Sequence, residues 1–130
     1  MPSPTVLAGT DLLATLVGVP AWSSMGLVNS WANFGSGFVN AQYRLWPLIN
    51  EVEVIGVITG GTITGGTTIA TLPNAPVSTQ PIPVMVSSTS GGAGGQSPRL
   101  DVTTGGALQV QNLPTGTVTI MFHGWYSLDA

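Results

Sequence analysis

Apolar and other residues alternate one for one at the C-terminal end of the chain. Val118, Ile120, Phe122, Gly124, Tyr126 and Leu128 fall on one side, and Thr117, Thr119, Met121, His123, Trp125 and Ser127 on the other. Successive side chains of a strand point to opposite faces, so this period of two predicts a β-strand and excludes a helix. The first face is apolar enough to be core. The second carries Met121, His123 and Trp125, which is amphipathic and suits a face that meets a partner.

Shorter runs of the same kind precede it. Glu51-Val52-Glu53-Val54 alternates polar and apolar and continues through Gly56 to Ile58, a half-buried strand. Thr67 to Leu72 is a β-branched run stopped by Pro73. Pro81 and Pro83 flank the start of the run Ile82 to Ser87, which predicts a strand at a sheet edge, because proline donates no ladder hydrogen bond. Ser90 to Ser97 reads as an exposed loop. Arg99 to Thr103 and Ala107 to Gln111 flank Thr104-Gly105-Gly106, a hairpin signal. The spacing of these runs after Asn50 is that of a sandwich or barrel. The predicted fold is therefore all-β, an antiparallel, jelly-roll-like β-sandwich.

The N-terminal part is less regular. Residues 22–50 hold three of the four tryptophans among Asn, Gly and Ser, and read as turns and short strands. Residues 6–19 are apolar without a clean polar face and fit either a short helix or an extended segment. We divide the chain into an N-terminal arm, 1–28, and a β-sandwich domain, 29–130. The arm is expected to lie on a neighbouring subunit or another protein. Residues 1–22 carry no Lys or Arg, so no secretory n-region is present. Asp11 interrupts the apolar run, and Leu12 to Trp22 is shorter than the ~20 residues a membrane span needs.

Composition changes this picture in one respect. The chain holds two arginines, five carboxylates and no lysine, so 5% of it is charged, against ~25% in ordinary soluble domains. Its polar surface must come from Gly, Thr, Ser, Asn and Gln. A monomer so poor in charge has weak protection against association, which predicts a homo-oligomer. Two arginines and a net charge of −3 argue against nucleic-acid binding, which needs several cationic phosphate contacts. With no cysteine there is neither a disulfide framework nor a thiolate metal site.

The order of the β elements resembles a known group. Val52-Glu53-Val54-Ile55-Gly56, Thr59-Gly60-Gly61-Thr62, Thr71-Leu72-Pro73, Pro81-Ile82-Pro83-Val84, and Leu100-Asp101-Val102 with Gly105-Gly106 before Leu108-Gln109-Val110 follow the pattern of the small β-sandwich domain of bacteriophage minor tail and tail-fibre proteins. Upstream, Asn29 to Gly35 and Ala41 to Arg44 resemble the elements that precede that domain. The resemblance covers about residues 29–128 and implies a trimeric, largely β part of the virion. The chain lacks a fibre shaft, which leaves a capsid decoration protein or head fibre as the alternative location.

The candidate chemistry is sparse. Glu51 and Glu53 share one strand face with side chains ~7 Å apart, and paired carboxylates are what glycosidases use; a solvated face or an ion pair to an arginine is the simpler reading. One histidine, His123, excludes most catalytic constellations, and no nucleophile-elbow spacing occurs. The glycines lack the GxGxxG and Walker spacings. The chain is therefore read as a non-enzyme without cofactor or metal. Trp22, Trp31, Trp46, His123 and Trp125 are the candidate interface residues, since Trp and Tyr anchor cores and interfaces; stacking on a host-surface glycan is the second reading for them. The expected function is that of a structural virion component, with a receptor-binding module as the alternative from another class.

Overall fold

The computed structural model describes residues 18–89 and 97–130. The helix considered over 6–19 and the loop Ser90 to Ser97 fall almost wholly outside the described residues. All regular structure within them is β: β1 (Ser23–Ser24), β2 (Ala32–Asn33), β3 (Gln42–Trp46), β4 (Glu51–Thr59), β5 (Thr68–Thr71), β6 (Gln80–Ser88), β7 (Arg99–Val102), β8 (Ala107–Gln111) and β9 (Thr117–Ser127). All pairings are antiparallel, in the order β1-β3-β4-β9-β6-β7-β8-β5, with β2 also on β4. The all-β, antiparallel expectation holds, and the sandwich is made by a single sheet curling into a half-barrel.

The curl is made at β6. Its first half, Gln80 to Pro83, pairs with β7, and its second half, Val84 to Ser88, pairs with β9. This corrects the expectation of an edge strand, and it also shows how the prolines are tolerated. Pro81 and Pro83 lie in the half that β9 does not reach, so each has a strand on one side only and no ladder bond is lost for want of an N–H. Between the two halves of the sheet lies one hydrophobic cluster. Val52, Val54 and Ile58 of β4 and Ile120, Phe122 and Tyr126 of β9 meet Ile82, Leu100, Val102, Leu108 and Val110 from the other half. The Tyr126 hydroxyl ends in this core and donates to the Asn74 carbonyl at 2.7 Å. Burial pushes that phenol above its ordinary range.

Contacts require glycine at several positions, Gly106 and Gly61 among them. Gly106, at φ +85°, closes the β7–β8 hairpin by donating to the Thr103 carbonyl, and a Cβ there would run into the Leu72 carbonyl. Gly61 lies flat against the Trp31 indole, where any Cβ would enter the ring.

The last strand departs from its predicted alternation at one end. Ile120, Phe122 and Tyr126 are buried as expected, but Val118 is exposed while Thr117 and Thr119 are buried. The pairing of β9 with β6 shifts here: Ser87 faces Thr119 and Ser88 faces Thr117, so Val118 is passed over. Such an irregularity breaks the strict alternation locally. The Thr119 hydroxyl donates to Thr59 Oγ1 across the strand pair.

The sheet begins upstream of the boundary drawn at residue 28. Ser23 and Ser24 pair with Tyr43 and Gln42, Met25 is buried in the core, and its N–H donates to the Ala41 carbonyl.

Candidate functional site

The outer face of β3, β4 and β9 gathers most of the side-chain chemistry. Cross-strand registers align three rows on it: Trp46, Glu51 and Ser127; Arg44, Glu53 and Trp125; Gln42, Ile55 and His123. Paired residues of an antiparallel sheet share a face, so β4's period of two puts Glu51, Glu53 and Ile55 outward while Val52 and Val54 go to the core.

Glu53 is the hub. Its side chain is only 6% exposed, and both oxygens are engaged. Arg44 Nε donates to Oε1 at 2.8 Å, Trp46 Nε1 donates to the same oxygen at 3.1 Å, and His123 Nε2 lies 2.7 Å from Oε2. Burying a carboxylate is costly unless it is paired and hydrogen-bonded, and here three partners meet that condition. The Arg44 guanidinium in turn lies over two indoles, 4.0 Å from the Trp22 ring centroid and 4.9 Å from that of Trp46, a cation–π arrangement. Trp46 leans on Trp125, with centroids 6.2 Å apart at 41°. The row ends at solvent, where Trp125 is 43% exposed and the His123 side chain 55%.

Of the five sequence candidates, Trp22, Trp46, His123 and Trp125 come together on this face. Trp31 does not: it is buried in the chain's own core, and its Nε1 has no hydrogen-bond partner among the described residues. Sequence reasoning missed Arg44 and gave Glu53 only a minor part. The one available signal was the simpler reading of the Glu51/Glu53 pair, an ion pair to an arginine, which is what Arg44 and Glu53 form. The glycosidase reading loses its footing because Glu53 has no free carboxylate oxygen. Among the described residues no His, Cys, Asp and Glu cluster could hold a metal.

Beside this cluster the same face continues as an open groove of ≈ 430 Å³, lined by Val39, Ile55, Val57, Met85, Met121 and His123 among others. His123 belongs to both features, so the apolar groove and the aromatic row are continuous.

The electrostatics of Glu53 predict an acid response. Burial alone would push its carboxyl up, but the bonds from His123, Arg44 and Trp46 and the charge of Arg44 outweigh it, and the net shift is downward from 4.5. The folded state thus binds this proton more weakly than the unfolded chain. The stabilisation is full above the unfolded value and is lost as pH falls through the folded one. Melting temperatures of wild type and Glu53→Gln, measured from pH 7 to pH 3, should therefore converge below about pH 4.5. Curves that stay parallel would contradict the assignment.

No protein-family model matches the sequence, and no curated protein matches it. Among solved structures the chain is similar to the receptor binding protein (gp15) of Listeria phage PSA, with a TM-score of 0.59 and 14% identity; the likeness spans 95% of this chain and 82% of that one. At that identity the likeness is one of fold, and it extends over the curled sheet as a whole.

Proposed function

We propose that this chain is a bacteriophage virion protein, a tail-tip component that works as a homotrimer and contacts the host surface without catalysing a reaction. The observation that carries this reading is the fold likeness to a phage receptor binding protein over nearly the whole chain. Fold does not by itself imply function, so two further features are given weight. The ordered β elements from Val52 to Val110 resemble those of phage fibre-tip domains. Both arginines are held in intrachain ion pairs, Arg44 with Glu53 and Arg99 with Asp101, so only the small net charge of −3 is left to keep copies apart, which favours assembly.

Immunogold labelling of intact phage particles tests the location, with gold expected at the far end of the tail. Gold over the capsid would replace this reading with a decoration protein or head fibre. Light scattering of the purified chain at micromolar concentration should give three times the subunit mass, and a monomer there would remove the trimer.

A further inference from the structure

We propose that the apolar groove on the outer face is the seat of this chain's own N-terminal segment, with Leu12 to Val17 lying across Ile55, Val57, Met85 and Met121. The arm then finds its cover on its own subunit, where its apolar sequence alone pointed to a neighbour. The inference does not depend on where the protein works.

The groove calls for an occupant that is apolar and uncharged. No residue lining it other than His123 can titrate. Met85, 70% exposed, and Val39 leave it open to water, and a contiguous apolar patch of this kind marks an interaction surface. The polar end of the same face offers no open charge, because Arg44 is paired with Glu53 and stacked on Trp22 and Trp46. Leu12-Leu13-Ala14-Thr15-Leu16-Val17 has the matching chemistry. Residues 1–17 contain one charged side chain, Asp11, and it precedes that run. Thr15 is the only polar residue within the run, so neither a helix nor a strand would give it a polar face. Its apolar area stays in water until something covers it.

The path of the chain selects this occupant over a second copy. Ser23 and Ser24 pair with β3 at the edge of the sheet, but upstream of them the chain crosses onto the outer face. The Trp22 ring lies 4.0 Å from the outward Arg44 guanidinium, and the Pro20 carbonyl accepts from Arg44 Nη1 at 3.4 Å. Gly18, in the left-handed region at φ +67°, turns the chain just before this anchor. The segment is therefore brought onto the same face that carries the groove. From the row of Glu53 to that of Val57 is ~14 Å at the rise of a strand. Residues 12–17 span ~9 Å as a helix and ~20 Å when extended, so the run next to the anchor is of the length the groove requires. A segment tethered this closely meets the groove at an effective concentration on the order of millimolar, which a separate copy in dilute solution does not match.

The chain has no cysteine, so introduced cysteine pairs report without background. Leu13→Cys with Met121→Cys, oxidised in the full chain, is expected to give an intrachain disulfide at subunit mass, formed at a rate unchanged over a ~100-fold dilution, as a tethered pair does. Leu13→Cys with Gln109→Cys, placed on β8 in the other half of the sheet, should stay reduced. A second measurement uses the methionines: in the ¹³C-methyl NMR spectrum of Leu13→Asp the Met85 and Met121 methyls should shift, while that of Met25, buried in the core, stays in place. A disulfide between chains that slows on dilution would overturn the proposal by putting the segment on a neighbouring copy. Rapid crosslinking of Met121→Cys alone would overturn it by putting a second copy's groove on this one. Equal crosslinking to Met121→Cys and Gln109→Cys would mean that the segment has no seat. Unmoved Met85 and Met121 methyls in Leu13→Asp would leave the groove without this occupant, and a Met25 methyl that moves with them would make the segment part of the inner core instead.

Discussion

Phe122→Ala is expected to lower the unfolding free energy by about 3–5 kcal/mol, the usual loss for a buried aromatic. Phe122 is almost fully buried in the middle of β9 and stands directly opposite Gly56 of β4. Its ring lies where a side chain of Gly56 would be: a Cβ built there would come within 2.8 Å of both the ring and the Ala41 backbone. The glycine leaves room that only the ring fills, so the alanine variant opens a cavity that no neighbour on β4 can close. A drop of this size consumes much of the ~5–15 kcal/mol that holds a domain together. Urea unfolding of purified wild type and variant measures it. A difference under about 1 kcal/mol would mean that the site collapses around the alanine and that the ring is not the keystone of this layer.

The second large effect is on the outer face. Glu53→Ala should cost about 2–3 kcal/mol at neutral pH, the range of hydrogen bonds to a charged group. The substitution removes one carboxylate but leaves three donors without their acceptor. Arg44, 18% exposed, would keep its charge between two indoles with nothing to neutralise it. A buried pair broken on one side is costly for this reason, and the partial exposure of Arg44 keeps the figure at the lower end. The double variant Glu53→Ala, Arg44→Met should recover part of the loss, because the orphaned charge is then absent. Chemical unfolding of the two single variants and the double, compared in a cycle, checks this. Additive effects would show that the pair is not coupled.

The first face of β9 was readable because burial on one side of a strand imposes a period of two, and Ile120, Phe122 and Tyr126 obey it. Val118 escaped because the register shift against β6 is a property of two paired strands, and neither sequence alone encodes it. The same holds for Pro81 and Pro83. Their lack of an N–H was read correctly as a missing partner, but the missing partner is local to half of β6, since the strand changes neighbours midway. Residue type alone groups Trp31 with the other tryptophans. Its fate was decided by Gly61, thirty positions on in sequence, whose bare backbone gives the indole a flat wall.

The candidate site divides in the same way. Trp125 and His123 were visible as outward residues of one strand, and Glu53 as an outward residue of another. Nothing in the sequence set Glu53 beside Trp125, or Arg44 beside both, because those adjacencies come from the registers of β3 on β4 and β4 on β9.

By itself, then, the sequence determined the class of structure and the inward or outward sense of most strand residues, since both follow from local periodicity and from where glycine and proline fall. It also determined that the surface would be nearly free of charge. The tertiary structure alone decided which outward residues became a site. Arg44, Glu53, His123, Trp22, Trp46 and Trp125 come from four separate stretches of chain, and only long-range strand pairing brings a carboxylate under three donors and leaves one indole open to solvent.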